Sequence, residues 1–194
     1  MSRPLLIGLY SPYPGCGKSA VASHLQTYHG YNIVSFATPL KHLTIHFLRY
    51  LGYDNAAATR LVYHAKEELI PELGVSCRHL QRTLGTEWGR TCVSPTVWIQ
   101  CWSVQAHEYL QQERPVVVDD VRFPNEAEAV TSLGGALWRI DRPNSNPDIS
   151  HASDGACNDF SFSHTINNTF SDLAQLYAHI DALLLLCPDL ADAA

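Results

Sequence analysis

Residues 11–19 are Ser11-Pro12-Tyr13-Pro14-Gly15-Cys16-Gly17-Lys18-Ser19, and this stretch decides the fold. The apolar run at 5–9 before it predicts a buried strand, and residues 19–26 after it predict a helix. A strand, a glycine-rich turn that ends in Gly-Lys-Ser, and a helix form the setting of a phosphate-binding P-loop. Backbone N–H groups of such a turn and of the helix N-terminus face phosphate oxygens. The stretch therefore predicts a nucleotide site near the start of the chain.

The roles within this loop follow from the residue types. Lys18 is expected to reach the β- and γ-phosphates, and Ser19 to hold Mg²⁺. One departure from the usual pattern is Pro12, which stands where the first glycine is normally found. Because Pro12 and Pro14 have no N–H to donate, the cradle must come from the residues that follow them. The expected cofactor-binding residues are Gly15, Cys16, Gly17, Lys18 and Ser19.

Composition and length restrict the class of protein. The chain has 194 residues, 46% hydrophobic and 16% charged, which fits one globular domain spanning 1–194. No apolar run approaches the ~20 residues of a membrane span, and no signal peptide precedes the first strand. The six cysteines form no Cys-x-x-Cys pair, which favours reduced thiols and a cytoplasmic location. The formal net charge of −6 gives no overall basic field for nucleic acid.

Strand and helix patterns alternate along the chain, which predicts an α/β fold with a mostly parallel sheet and helices on both faces. The helix after the second strand is expected to have Thr38 as N-cap, Pro39 at its first position, and an apolar face that includes Leu43 and Phe47. The predicted strands are 5–9, 31–37, 115–118, 136–140 and 164–166. The predicted helices are 19–26, 38–51, 55–70, 77–87 with Ser76 as cap, 95–112, 124–133 and 171–186, with a loop at 143–161.

A second polar cluster, Asp119-Asp120-Val121-Arg122, follows an apolar strand. Ligands of open α/β sheets bind at the carboxyl ends of strands, where an aspartate can hold Mg²⁺ through water. Arg122 can neutralise a phosphate there. Strand alternation predicts that Asp119 and Asp120 point to opposite faces. The alternative is an aspartate that ends the strand and caps the following helix.

Two further clusters are weaker signals. Arg78 and Arg82 lie four residues apart and share a helix face, and Arg90 follows two glycines. This pattern fits a phosphate clamp or an exposed charged face, and the spacing does not decide between them. Arg139 and Arg142 precede the loop at 143–161, which suits a lid over phosphates.

Histidines offer one more spacing signal. His42 and His46 lie four apart on the predicted helix 38–51. Two ligands do not make a zinc site, so we expect these side chains to be partly exposed.

Four segments resemble the bacteriophage deoxynucleoside monophosphate kinase family. They are the P-loop, Ser35-Phe36-Ala37-Thr38-Pro39-Leu40-Lys41, residues 80–90 with Leu-Gly-Thr-Glu-Trp-Gly-Arg, and Asp120-Val121-Arg122-Phe123-Pro124-Asn125-Glu126. The stretch Ile166-Asn167-Asn168-Thr169 with Asp172-Leu173 also resembles the family, where a similar loop lies near the adenine of ATP. Order and spacing match over nearly the whole chain.

The resemblance implies a three-layer P-loop kinase fold, ATP as donor, Mg²⁺, and a deoxynucleoside monophosphate as acceptor. It implies a catalytic set of Lys18, Asp120 and Arg122, with Arg82 and Arg90 on the acceptor side. Ser19 and Asp120 would be the metal ligands. Arg139, Arg142, Asn167 and Asn168 would contact ATP. The acceptor-binding helical region would span about 53–112, and a lid-like loop about 142–161.

Departures from the family pattern concern the acceptor. Thr38 stands where the family commonly has Asp, and Ser19 stands where the family often has Asp. Asp119 adds a second carboxylate beside Asp120. The chain also looks short between the Thr38 helix and Arg78, where acceptor specificity could be set.

These departures leave two other functions open. One is a kinase that phosphorylates the hydroxyl of a hydroxymethylated pyrimidine in phage DNA, for which Asp119 would be the catalytic base, although the net charge argues against a DNA partner. The other is a nucleotide-binding regulator without transferase activity. A homodimer is compatible with the sequence, as is the host cytoplasm for a phage-encoded chain.

Overall fold

The strands are numbered in chain order from the computed structural model, which describes residues 3–143, Cys157 and residues 160–186. They are β1 (Leu6–Tyr10), β2 (Asn32–Ile33), β3 (Leu69–Ile70), β4 (Val75–Ser76), β5 (Val116–Val121), β6 (Ala136–Asp141) and β7 (His164–Asn167). Five of them form one parallel sheet in the order β2-β5-β1-β6-β7, and β3 and β4 form an antiparallel hairpin. The five-stranded sheet is the frame of the predicted α/β fold.

The helices of the described residues follow the same order. They are α1 (Lys18–His29), α2 (Thr38–Tyr50), α3 (Asn55–Tyr63), α4 (Cys77–Arg82), α5 (Val97–Gln111), α6 (Pro124–Ser132) and α7 (Leu173–Leu186). A π-helix, Thr83–Val93, continues directly from α4. The chain packs as two units, one made of Met1–Ser35 with Ser103–Ala194 and the other of Phe36–Trp102. In the described ranges, no helix is long and apolar enough to cross a membrane.

Helices cover both faces of the parallel sheet. Ile7 and Leu9 of β1 point to one face, where they join a buried cluster with side chains of α1 and α7. Gly8 faces the opposite side, and a Cβ there would lie 2.9 Å from Cδ2 of Leu137 and 3.2 Å from Cγ1 of Val130 in α6. Helix α6 therefore packs close on that face, which makes three layers, as the sequence predicted.

The second strand and the helix after it differ from the prediction of 31–37 and a Thr38 cap. Strand β2 has two residues, although the Val34 N–H still donates to the Val117 carbonyl (3.0 Å). Ala37 already has helical dihedrals and is the N-cap, so Thr38 is the first helical residue. Leu43 and Phe47 are 47% and 44% exposed, so the predicted apolar face of α2 is wrong at these two positions.

The predicted helix 55–70 is also wrong in its second half. Asp54 caps α3 by accepting the Ala57 N–H at 2.7 Å, but the helix ends at Tyr63. The chain then forms the β3–β4 hairpin, whose turn carries Gly74 at φ +67°. Ile70 turns inward and packs with Leu48 and Leu61, so burial of one β-branched side chain competes with the helical pattern.

The predicted helix 77–87 begins where expected and runs further. Ser76 accepts the His79 N–H at 3.2 Å, which confirms it as the cap of α4. The π-helix then carries the chain to Val93, with both glycines inside it. The indole Nε1 of Trp98 donates to the Gly85 carbonyl at 2.8 Å, and a Cβ on Gly89 would lie 2.6 Å from Cζ2 of that ring. Gly89 thus lets the Trp98 ring lie against the backbone, where its indole N–H reaches the Gly85 carbonyl.

We expect Gly89→Ala to destabilise the protein by about 1–3 kcal/mol, because the new methyl group overlaps the buried Trp98 ring. Urea denaturation monitored by tryptophan fluorescence measures this free energy of unfolding. Gly85→Ala is the matched control, since its Cβ meets only a flexible Leu40 methyl group at 3.2 Å. Equal stability of the two variants would show that the Trp98 contact does not require a glycine.

Candidate active site

The loop between β1 and α1 depends on two left-handed glycines. Gly15 has φ +76° and Gly17 has φ +109°, a region that side chains other than glycine rarely adopt. Gly17 is the N-cap of α1, and its carbonyl accepts the Val21 N–H at 3.0 Å. These two positions aim the start of α1, with Lys18 and the exposed Ser19, at the space beyond the strand end.

Asn168 holds this loop from the other side. It follows β7, is 8% exposed, and its Nδ2 donates to the Cys16 carbonyl at 2.9 Å. Its own N–H donates to the Asp141 carbonyl at 2.6 Å, so its backbone is anchored to the end of β6. A Cβ on Gly17 would lie 2.8 Å from the Asn168 amide nitrogen. The side chain therefore occupies the room that the glycine leaves. Asn167 ends β7 and is exposed.

Four charged side chains share the surroundings of the loop. The pKa of Lys18 is lowered, first by burial and next by the positive charge of Arg122. The carboxylates of Asp119 and Asp120 act in the opposite direction and favour the charged ammonium. Lys18 therefore interacts electrostatically with Asp119, Asp120 and Arg122, and the catalytic and metal-binding roles of these residues stay predictions.

The two aspartates lie within β5, not after a strand that ends at residue 118. Gly8 pairs with Val118 and Tyr10 pairs with Val121, so β5 contains one residue more than β1 between these two pairs. The extra residue is a β-bulge at Asp119-Asp120, and a bulge suspends strict alternation. The prediction that Asp119 and Asp120 point to opposite faces assumed a regular strand, and the bulge removes that assumption.

Ser35 orients one of these carboxylates. Its hydroxyl, 6% exposed, donates to Oδ1 of Asp119 at 2.5 Å from the segment that follows β2. The sequence analysis missed this role, although Ser35 opens a segment of the family resemblance and follows the predicted strand. A small hydroxyl residue there was the available signal.

Glu126 shapes the connection from β5 to α6. This carboxylate is 3% exposed, and its Oε2 accepts the N–H groups of Arg122 (2.8 Å) and Phe123 (3.1 Å). It thereby satisfies donors at the start of α6, whose N-cap residue is Phe123 and not an aspartate of β5. The Arg122 side chain is exposed, and Glu126 fixes the backbone N–H groups before and after its Cα atom.

Arg139 and Arg142 lie at the end of β6. Arg139 forms an ion pair with Asp141 (Nε to Oδ2, 2.8 Å), and its guanidinium lies 5.8 Å from the ring centres of both Tyr10 and Phe162. Burial raises the pKa of Tyr10 to about 12, so its hydroxyl stays neutral. Arg142 is exposed, and the lid predicted at 142–161 lies for the most part outside the described residues.

The arginines of the third cluster belong to the unit Phe36–Trp102. Arg82 is exposed at the end of α4, and Arg90 in the π-helix donates to the Pro95 carbonyl at 3.3 Å. Arg78 is paired with the Glu67 carboxylate. The roles of Arg82 and Arg90 on the acceptor side stay predictions.

Known proteins resemble this chain in sequence and in structure. No protein-family model matches the chain. A protein of Acanthamoeba polyphaga mimivirus, described as "Putative deoxynucleotide monophosphate kinase", is 31% identical over 163 residues, which cover 77% of this chain and 80% of that protein. A crystal structure described as a "putative kinase" from Chloroflexus aurantiacus aligns with a TM-score of 0.48 and 14% identity, over 96% and 98% of the two chains.

A parallel sheet lies between two layers of helices, and a glycine-rich loop leads from β1 into α1. Together these features define the P-loop kinase fold. The identity to the mimivirus protein then places the sequence more narrowly. The chain belongs to the deoxynucleotide monophosphate kinase family.

We expect Asn168→Ala to weaken ATP binding about 10-fold, because the Cys16 carbonyl loses the hydrogen bond that fixes the loop. Isothermal titration calorimetry with the non-hydrolysable analogue of ATP and Mg²⁺ measures this Kd. Thr169→Ala, at the next exposed position, is the matched control and should bind as the unchanged chain does. Unaltered affinity of a folded Asn168→Ala protein would contradict the role given to this amide.

Proposed function

We propose that this chain transfers the γ-phosphoryl group of ATP to a deoxynucleoside monophosphate. The observation that carries the proposal is the glycine-rich loop that leads from β1 into α1 and places Lys18 at the start of that helix, where Asp119, Asp120 and Arg122 act on its charge. Phosphoryl transfer needs positioning and neutralisation of negative charge more than covalent chemistry. A half-buried ammonium and a guanidinium beside phosphate-facing N–H groups provide these two effects.

The proposal gives each of these residues a role in binding or in catalysis. The backbone of Gly15, Cys16, Gly17, Lys18 and Ser19 cradles the phosphates of ATP, and Lys18 neutralises the transferred group. Arg122 stabilises charge on the same group, aimed by the Glu126 contacts to its backbone. Arg139, Arg142, Asn167 and Asn168 belong to the ATP side, where Asn168 acts through the loop backbone. Arg82 and Arg90 bind the acceptor phosphate.

The donor set beside the loop suits Mg²⁺. Ser19 offers an exposed hydroxyl in the first turn of α1, and Asp120 offers a carboxylate on β5. Hard oxygen donors of this kind are the ligands that Mg²⁺ prefers. When bound, the ion neutralises charge on the β- and γ-phosphates.

A monophosphate acceptor needs no catalytic base, because its attacking oxygen is ionised at neutral pH. The residues then need only to hold donor and acceptor in line and to keep water out. This fits Asp119, which is fixed by Ser35 and serves mainly to balance the charge of Lys18.

One observation favours a second candidate function. Asp119 is a carboxylate held in place by a 2.5 Å hydrogen bond within the charged cluster, with Oδ2 left to accept a proton. A neutral hydroxyl acceptor, such as that of a hydroxymethylated pyrimidine in DNA, would benefit from such a base. The net charge of −6 opposes binding to DNA phosphates, so the monophosphate is the first choice.

The experiment that tests the proposal is a transfer assay with γ-³²P-labelled ATP against a panel of acceptors. The panel contains each deoxynucleoside monophosphate, plain DNA, and DNA with hydroxymethylated pyrimidines. We expect label in a deoxynucleoside diphosphate. Label in modified DNA would show that the acceptor is a hydroxyl group and not a monophosphate. Absence of transfer to every acceptor would contradict kinase activity and favour a nucleotide-binding regulator.

Aspartate variants separate the two chemistries on the acceptor that is found. With a monophosphate, we expect Asp120→Asn to lower kcat strongly and Asp119→Asn to be mild, because no base is needed. With a hydroxyl acceptor, Asp119→Asn should cost about 10²-fold or more in kcat. Steady-state rates at fixed Mg²⁺ distinguish these patterns. A severe loss at Asp119 with Asp120→Asn nearly silent would overturn the metal assignment.

A further inference from the structure

Three side chains join α1 to α7 away from the charged cluster. His24 and His29 lie on α1, and the Nε2 atom of each is 2.7 Å from Oδ1 of Asp181 on α7. Two imidazole nitrogens and one carboxylate oxygen thus meet within 4.8 Å of one another. Neither the phosphate loop nor the proposed phosphoryl transfer uses any of these atoms.

We propose that His24, His29 and Asp181 form a binding site for a divalent transition-metal ion of the Zn²⁺ class. Two histidines and one carboxylate, with water in the fourth position, are a tetrahedral donor set of zinc sites. Imidazole donors favour Zn²⁺ over Mg²⁺, so this ion is chemically distinct from the one expected beside ATP.

Burial and packing prepare the deepest ligand. His24 is 6% exposed, and its ring stacks on Tyr177 with centroids 4.3 Å apart and planes 6° apart. Its Nδ1 is buried and has no hydrogen-bond partner in the described part of the protein. An imidazole kept in the core with one nitrogen unsatisfied lowers stability, which is the pattern expected where the other nitrogen has a function. That other nitrogen is the Nε2 atom aimed at the site.

The open side of the cluster gives the ion its access. The Asp181 side chain is 48% exposed and that of His29 is 23% exposed, so solvent can enter and supply the fourth ligand. Ligand atoms around a tetrahedral zinc ion lie about 3.3 Å apart, given bond lengths of about 2.0–2.1 Å. The 2.7 Å contacts must therefore lengthen by a small rotation of the half-exposed Asp181 side chain. On binding, each Nε2–H proton moves to Nδ1, and the Nε2 lone pair binds the ion.

The site would act as a clamp between the helix that starts at the phosphate loop and the last helix of the described chain. Tyr177 and Leu176 of α7 already pack against the α1 side of the sheet. A metal ion that binds only the folded protein raises its stability by mass action. Binding should therefore raise Tm, with no ATP or acceptor present.

The test is titration of the full chain, stripped with a chelator, with Zn²⁺ in a calorimeter, and with Co²⁺ by its visible absorption. We expect one ion per chain, a tetrahedral Co²⁺ spectrum, and a higher Tm with zinc. Asp181→Asn and His29→Gln should each weaken binding at least about 10-fold and remove the Tm shift. These two side chains are partly exposed, so both variants should fold, and their metal-free Tm values check this.

His42→Gln and His46→Gln serve as the matched control, since these exposed histidines lie four apart on α2 and should not affect binding. Equal zinc affinity in the unchanged chain, Asp181→Asn and His29→Gln would overturn the proposal and point to the cysteine thiols instead. Failure of the unchanged chain to bind one ion, with the histidine–aspartate cluster intact, would overturn it as well. Neither result bears on phosphoryl transfer.

Discussion

The hydrogen bond from the Asn168 amide to the Cys16 carbonyl is the contact on which the arrangement of the site depends. Gly17 can adopt φ +109° only because it has no side chain, and the same absence makes room for the amide. The glycine-rich loop is thus fixed at two points, by β1 at its start and by Asn168, which follows the edge strand β7. The direction of α1, and with it Lys18, follows from that restraint.

The charged cluster is built by irregular backbone on a regular frame. The bulge in β5 lets two consecutive aspartates serve the same neighbourhood, and Ser35 fixes one of them. Glu126 then turns the chain from β5 into α6 and leads Arg122 out of the strand. Each of these supports uses a buried polar group with a bonded partner, which is the condition for placing charge inside a fold.

The sequence predicted the regular part of the molecule because that part depends on local signals. The apolar runs of β1 and β5 and the Gly-Lys-Ser turn are sufficient to place the parallel sheet and the loop. The four charged residues of the candidate site were predicted because the carboxyl ends of neighbouring parallel strands meet at one edge. Family resemblance added the acceptor and the ATP side.

The rest depends on contacts between distant residues, which no local pattern encodes. The sequence predicted an α-helix that ends at residue 87, whereas a π-helix carries the chain to Val93 and its Gly89 lies against the Trp98 ring. Residues 64–70 have a helical sequence pattern, but Ile70 is buried in the cluster that contains Leu48 and Leu61. The supporting roles of Ser35, Glu126 and Asn168 likewise appear only when the strands are side by side.

The most direct measurement of the central claim is the rate of phosphoryl transfer by Lys18→Ala with ATP and the preferred acceptor. We expect a loss of about 100-fold or more in kcat, since removal of a charge-stabilising donor costs ~3 kcal/mol, with Tm close to that of the unchanged chain. Gln26→Ala, exposed on the same helix, should retain full activity. Near-normal turnover by a folded Lys18→Ala protein would contradict the assignment of this loop as the site of ATP.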